Sequence, residues 1–266
     1  MDEIIIKSVK ALPPLPKTAI KVQEICADLN ASIADLTKAI EKDPMLTANL
    51  LKAANSPLYG FAREIKTLGQ AVSLFGFATV RGFAIAATVR GTIDPDLSPY
   101  KINAERFVDF SQLQNALMIR WYGIFDQMKL EILSPASFLF SVGRLIMANE
   151  IVRRDLVADF RKCAEEKGLE EAEDEFLKTN YQEVSAEIFT HWNFEPALVD
   201  VIRHSKDPLK APEHLASHAK ALRVVQIAVD IPGGLSEKSI ERAAKCAESF
   251  GLPSEAFINV AKTLNR

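Results

Sequence analysis

Helix start and stop signals recur along the whole sequence, and no stretch keeps the polar/apolar alternation that a half-buried strand requires. Ser32, followed three positions later by Asp35, has the pattern of a capping box. Asp43-Pro44 restarts a helix, because the carboxylate can accept from the free amides of the first turn and proline needs no donor there. These signals predict an all-α fold built from many helices.

One stretch, residues 77–89, is small or apolar at nearly every position, which predicts a helix buried on most sides at the centre of a bundle. We expect a break in the helical pattern at Gly76, just before it. Residues 91–103 contain prolines and several turn formers, which is typical of a boundary. We therefore divide the chain into an N-terminal helical lobe, residues 1–102, and a second helical lobe with C-terminal helices, residues 103–266.

Two segments of the second lobe carry further predictions. Helical periodicity predicts a helix from Pro135 to Arg153. The segment from Glu165 to Glu175 is acidic and poor in apolar residues, so we interpret it as a solvated helix face.

The composition is that of an ordinary globular protein, with 48% hydrophobic and 25% charged residues in a chain of 266. The net charge of -3 gives no general attraction to nucleic acid or anionic lipid. Cys26, Cys163 and Cys246 are too far apart for a metal knuckle or a disulfide framework, which indicates a reducing compartment. The first residues lack a signal-peptide pattern, and no apolar run reaches the roughly 20 residues that span a bilayer. We therefore predict a cytoplasmic protein without membrane contact.

The patterns of common catalytic sites, such as a Gly-x-Ser-x-Gly elbow, a Walker loop or a GxGxxG turn, do not occur in the sequence. His214 and His218 share a helix face and could grip a metal, yet no carboxylate at matching spacing completes that site. His204, taken alone, is a histidine at a helix C-terminus, where its charge suits the helix dipole. We predict no metal and no cofactor.

Four segments stand out by their order and spacing: residues 12–16, 43–47, 54–60 and 65–72. Together they resemble the signature of the bacterial HDOD domain. The resemblance covers roughly residues 10–205, from a Leu-Pro-Pro-Leu-Pro segment to the segment between Trp192 and His204. It implies a bundle like that of the HD metal-dependent phosphohydrolases, with an additional helical N-terminal lobe. The motif residues, to which we assign structural roles, are Pro13, Pro14, Pro16, Asp43, Pro44, Asn55, Ser56, Gly60, Gly76, Gly143, Arg144 and Trp192.

The resemblance also implies that the metal ligands of active HD hydrolases are missing. Those enzymes use a histidine on an early helix, an adjacent His-Asp pair and a later aspartate. The pair aligns with Phe140-Ser141, next to the Gly-Arg-Leu tripeptide 143–145, and Phe140 offers no ligand to a divalent cation. The late aspartate aligns with Val229, one residue before Asp230. We name as the remnant pocket the positions Ser111, Phe140, Ser141, His204 and Asp230.

These features favour a non-catalytic, regulatory scaffold module of bacterial signal transduction. The resemblance implies a protein partner in a signalling pathway, or a small ligand held in the remnant pocket. An alternative is a metal-dependent phosphohydrolase with a rearranged site that uses His204 with Asp230.

A second alternative is a DNA-binding regulator in which the predicted helices 32–42 and 44–54 form a helix-turn-helix. The second of these helices offers only Asn49 and Lys52 to a groove, whereas a recognition helix usually presents several Arg, Lys, Asn or Gln side chains. We therefore expect no specific binding of nucleic acid.

Overall fold

A computed structural model of the chain describes residues 2–265, apart from the side chain of Arg90. The described residues are mostly helical, which confirms the all-α prediction, and a short antiparallel pair joins β1 (Val229–Asp230) to β2 (Gly234–Leu235). The first helices are α1 (Glu3–Lys10), α2 (Lys17–Ala27), α3 (Ile33–Ile40), α4 (Pro44–Ala54) and α5 (Leu68–Thr92). The later ones are α6 (Ala104–Tyr122), α7 (Leu130–Leu139), α8 (Gly143–Arg153), α9 (Val157–Lys167), α10 (Leu169–Leu177), α11 (Tyr181–His191), α12 (Pro196–His204), α13 (Glu213–Ala228), α14 (Glu237–Ser249) and α15 (Ser254–Leu264). Short 3-10 turns occupy Ser98–Tyr100 and Pro208–Lys210.

The predicted helix starts are present with their hydrogen bonds. The Asp35 amide donates to the Ser32 hydroxyl over 3.2 Å, and the Ser32 amide donates to the Asp35 carboxylate over 3.0 Å. The Asp43 carboxylate accepts from the Leu46 amide over 2.9 Å, and Pro44 begins α4. Local side-chain chemistry therefore sets where these helices begin.

Gly76 breaks α5, as the sequence predicted, because its backbone adopts φ 72° and ψ 170° within the helix. This left-handed φ is open to glycine and strained for other residues. After the break, α5 approaches α7 closely at Gly82, where a Cβ atom would lie 2.8 Å from Phe138 and 3.0 Å from the Pro135 backbone. The two glycines thus let the second half of α5 run through the centre of the bundle.

The helix predicted from Pro135 to Arg153 is present as two helices, α7 and α8, and α7 begins five residues earlier, at Leu130. The helical hydrogen bonds tighten between them, since Val142 donates to the Leu139 carbonyl over 3.1 Å. Two segments, Leu68–Val89 and Leu130–Arg153, are long and apolar enough to cross a membrane by length and composition. Core helices pass the same test, and the second segment is 83% buried inside the bundle.

Two of the family-motif regions lie far apart in sequence and meet in the fold. The Trp192 indole, at the end of α11, donates to the Pro13 carbonyl over 3.0 Å. Nε2 of the neighbouring His191 lies 3.1 Å from the Leu12 carbonyl, which requires Nε2 to be the protonated nitrogen. The proline segment is therefore tied to the end of α11, with Leu15 buried and its three prolines exposed.

Asn55 stabilises the loop that follows α4 through two side-chain hydrogen bonds. Its side-chain amide donates to the Ile65 carbonyl over 2.9 Å, and its side-chain oxygen accepts from the Ile65 amide over 2.8 Å. Gly60, at the middle of this loop, has φ 67°. These two motif residues therefore have a structural role, which is to shape the loop.

One hydrophobic core runs through both predicted lobes. Helix α1 packs on α8 and α11, so the first helix of the chain contacts the second lobe. The division between residues 102 and 103 stays a prediction.

Candidate functional site

The turn between α7 and α8 carries the two residues that align with a His-Asp pair. Phe140 is 1% exposed, and its ring centroid lies 6.2 Å from that of Tyr181. The Ser185 hydroxyl holds the turn, because it accepts from the Gly143 amide over 2.7 Å and donates to the Phe140 carbonyl over 2.7 Å. A Cβ atom at position 143 would lie 2.4 Å from the Tyr181 carbonyl, so this close approach requires glycine.

A buried ion pair lies directly after this turn, at the second residue of α8. Nε of Arg144 donates to the Glu173 carboxylate of α10 over 2.7 Å, and the two residues are 6% and 0% exposed. The Arg144 guanidinium carbon lies 3.7 Å from the ring centroid of Tyr181 and 5.7 Å from that of Tyr100, which are cation–π distances. Burial raises the pKa of the Glu173 carboxyl, and the Arg144 charge opposes that shift.

Arg144 lines a cavity of about 380 Å³, which we call the polar cavity. Phe140, Tyr181 and the start of α10 form other parts of its wall. Arg223 of α13 binds both oxygens of Glu170 at 2.6 and 2.9 Å, which fixes one side. The charged residues of the wall are Arg144, Lys167, Glu170, Glu171, Arg223, Asp230 and Arg242.

Asp230, on β1, lies at the mouth of the polar cavity. Its side chain reaches the surface, yet surrounding atoms raise the pKa of its carboxyl by partial desolvation. The charges of Arg144 and Arg242 oppose that shift. The carboxyl therefore faces the same space as the two guanidinium groups.

The structure brings together only part of the remnant pocket. Phe140 and Asp230 line the polar cavity. Ser141 is 1% exposed, and its hydroxyl has no hydrogen-bond partner among the described residues. Ser111 lines a different cavity, and His204, half-buried at the end of α12, lines neither of the two. The five positions thus do not form one pocket, because Ser111 on α6 and His204 on α12 face spaces other than the cavity that Phe140 and Asp230 line.

The residues of this region do not fit the metal that active HD hydrolases hold. Within residues 2–265 the structure contains no group of three or more His, Cys, Asp or Glu side chains placed to hold a metal ion. Phe140 supplies no ligand atom, and Arg144 adds a fixed positive charge to the wall that Asp230 shares. A divalent cation needs several anionic or imidazole ligands together, and this donor set does not offer them.

The second cavity, of about 230 Å³, lies among α4, α5, α6, α7 and α8, and we call it the apolar cavity. Its inner wall includes Phe83, Phe138 and Leu145, while Lys52 and Asp109 contribute polar atoms. The Ser111 hydroxyl lines it as well, but donates to the Phe107 carbonyl over 3.0 Å. Asn49, Glu105 and Gln112 also line it, so polar side chains surround an apolar inner wall.

Sequence reasoning missed the partner of Arg144. The segment from Glu165 to Glu175 was interpreted as a solvated face, and this is wrong for Glu173, which is fully buried. Glu173 falls on the same stripe of α10 as Ala172 and Phe176, at helical spacing from Leu169. A carboxylate on an apolar stripe was the available signal, but its partner on α8 could not be read from local sequence.

Comparisons with known proteins agree with this fold. The HDOD domain profile matches residues 12–208. The crystal structure of a virulence factor from Campylobacter jejuni subsp. jejuni is similar over 99% of this chain and 100% of that one, with 27% identity and a TM-score of 0.58. A Shewanella amazonensis protein, provisionally named a phosphohydrolase, is 22% identical over 99% of this chain and 98% of its own, with a TM-score of 0.66.

A third similar structure is a Marinobacter aquaeolei protein that is provisionally named a signal transduction protein. It is 18% identical with a TM-score of 0.66, and the similarity covers 97% of this chain and 60% of the Marinobacter chain. No curated protein matches the chain. The HDOD profile spans most of the described helices and nearly the range that the motif residues predicted, and on this evidence the chain belongs to the HDOD family.

Proposed function

We propose that this HDOD protein is a cytoplasmic signal-transduction module that acts by binding a protein partner or a small ligand, without metal-dependent hydrolysis. The HDOD family is related to the HD phosphohydrolases, so metal-dependent hydrolysis is the reaction to weigh against a binding role. The observation that carries the proposal is the replacement of metal-binding chemistry at the α7–α8 turn. Phe140 fills that space, and Arg144 with Glu173 supplies a protein-borne ion pair beside it.

The names of similar structures do not decide between catalysis and signalling. One carries a phosphohydrolase name and another a signal-transduction name, at 22% and 18% identity. Likeness at that level supports the fold, and function depends on the site. The argument therefore rests on the donor set of the polar cavity.

The rearranged hydrolase is the less favoured alternative, because His204 does not line the cavity that Asp230 lines. The helix-turn-helix alternative is disfavoured by the environment of α4. Asn49 is half-buried in the wall of the apolar cavity, and the exposed Lys52 is then the one cation that α4 offers to a groove. We therefore propose no specific nucleic-acid partner.

Calorimetric titration of the full chain with Mn²⁺ and Zn²⁺, combined with phosphodiesterase assays on a generic chromogenic diester, tests the proposal. We expect no stoichiometric binding and no turnover above buffer with metal. The matched variant is Phe140→His with Ser141→Asp, which introduces the aligned His-Asp pair at the α7–α8 turn. We expect it to remain inactive, because the other ligands are not assembled around it. Stoichiometric metal together with turnover by the unmodified chain would overturn the proposal.

A further inference from the structure

The guanidinium of Arg144 has unused donors that open on the polar cavity. The residue is 6% exposed, and its Nε is occupied by Glu173. The Tyr100 hydroxyl, which is not part of the cavity wall, interacts with the guanidinium, and Glu173 is the one carboxylate bound to it among the described residues. The two terminal nitrogens keep access to the cavity that Arg144 lines. Such donors, held in a fixed fork, match the two oxygens of a carboxylate or phosphate.

The start of α10 adds backbone donors to the same wall. Gly168 precedes the helix and provides no capping side chain, so the first-turn amides from Leu169 to Glu171 lack side-chain acceptors. These residues line the polar cavity beside Arg144. The positive end of the helix dipole therefore reinforces the guanidinium as a place for an anionic group.

Acceptors lie on the wall as well. Asp230 and Glu171 line the cavity, and neither forms an ion pair with a described residue. Arg223, by contrast, is already bound to Glu170 through both terminal nitrogens. The groups left to meet a ligand are thus the donors around Arg144, the Arg242 guanidinium, and the carboxylates of Asp230 and Glu171.

The mixture of charges selects the kind of ligand. The wall presents four cationic and three anionic side chains, so a polyanion would meet carboxylates and a polycation would meet guanidinium groups. A molecule that carries one charge of each sign finds a partner of opposite charge for each of its two charged groups. The volume of about 380 Å³ lies within the range of roughly 300–1,000 Å³ typical of small-molecule sites.

We propose that the polar cavity binds a small zwitterion of the α-amino-acid type, with its carboxylate on Arg144 and the α10 amides and its ammonium group on Asp230 and Glu171. This inference rests on the binding role proposed above and names a ligand class for it.

Calorimetry on the full chain with each of the twenty common L-α-amino acids, and separately with inorganic phosphate, tests the inference. We expect at least one amino acid to bind with a stoichiometry of one. Removing either charge of the tightest binder, as its decarboxylated amine or its N-acetyl derivative, should weaken binding at least tenfold. The absence of binding by every amino acid, or tighter binding of phosphate than of any amino acid, would overturn the inference.

Variants locate the site. Asp230→Asn removes an exposed carboxylate and should weaken amino-acid binding at least tenfold without changing the unfolding midpoint. Asp109→Asn, on the wall of the apolar cavity, is the matched control and should bind like the unmodified chain. Arg144→Lys keeps the charge but loses the fork, and should weaken binding through the ligand carboxylate. Equal effects of the Asp230 and Asp109 variants would overturn the assignment.

The two proposals fail in different ways. Metal-dependent turnover together with amino-acid binding would remove the non-catalytic role and leave the ligand class standing. No turnover and no amino-acid binding would remove the ligand class alone.

Discussion

The polar and apolar cavities lie on opposite sides of one segment. Phe138, Val142 and Leu145 face the apolar cavity, whereas Phe140 and Arg144 face the polar one. The same α7–α8 turn therefore contributes to two chemically different walls. The walls of the polar cavity are joined by ion pairs between helices, and those of the apolar cavity by side-chain packing. One helical turn can thus border two cavities of different chemistry.

If ion pairs stabilise the helices around the polar cavity, removing the buried partner of Arg144 should lower the free energy of unfolding more than any other change. Glu173→Gln keeps the side-chain size but leaves Arg144 without its counter-charge. We expect the free energy of unfolding to fall by about 3–5 kcal/mol, because an uncompensated buried charge is expensive. Urea denaturation followed by circular dichroism measures this change.

The control for that variant is Glu175→Gln on the same helix, α10, which removes the partner of the exposed Lys167 of α9. Exposed pairs contribute little, so its unfolding curve should nearly superimpose on that of the unmodified chain. Equal losses in the two variants would show that burial of the Arg144–Glu173 pair is not what matters.

If close packing of α5 on α7 stabilises the helices around the apolar cavity, an added methyl group at that contact should destabilise the protein. Gly82→Ala places a Cβ atom 2.8 Å from Phe138 and 3.0 Å from the Pro135 backbone. We expect a net loss of about 1–3 kcal/mol in unfolding free energy from overpacking. Gly91→Ala, in the last turn of α5 with open space around it, should instead gain up to about 1 kcal/mol from helix propensity. A stabilising Gly82→Ala substitution would contradict the close contact of α5 and α7.

The smallest expected effect is on how the free energy of unfolding varies with pH, through the Glu170–Arg223 pair at the polar cavity. Burial raises the pKa of Glu170, but its hydrogen bonds to Arg223 and the Arg223 charge lower it by more, so the net shift is downward. The stabilisation is thus fully present above the usual value of 4.5 and is lost as the pH falls through the lowered pKa. Glu170→Gln should reduce the slope of unfolding free energy against pH in that acidic range.

For this measurement Glu171→Gln is the neighbouring control, since Glu171 has no ion pair with a described residue. Its slope should match that of the unmodified chain. A slope unchanged in Glu170→Gln as well would mean that the Glu170–Arg223 pair does not contribute to acid stability.

Local chemistry made much of the fold predictable from sequence. The helix starts at Ser32 and Asp43 depend on side chains within three residues, and the break at Gly76 depends on one backbone conformation. The placement of Ser111 and His204 was harder, because it depends on how each helix is rotated against neighbours that are distant in sequence. The pairing of Arg144 with Glu173 could not be predicted for the same reason, because it joins two helices that are distant in sequence.

The contact between Trp192 and Pro13 joins residues 179 positions apart, and this has a consequence for the order of folding. The partner for the proline segment and for α1, with its buried Ile5 and Val9, is not synthesised until α8 and α11 have followed. At roughly 5–20 residues per second, the nascent apolar segment waits on the order of ten seconds or more. We therefore expect the first part of the chain to leave the ribosome early and dock late, and to need protection from aggregation in the interval.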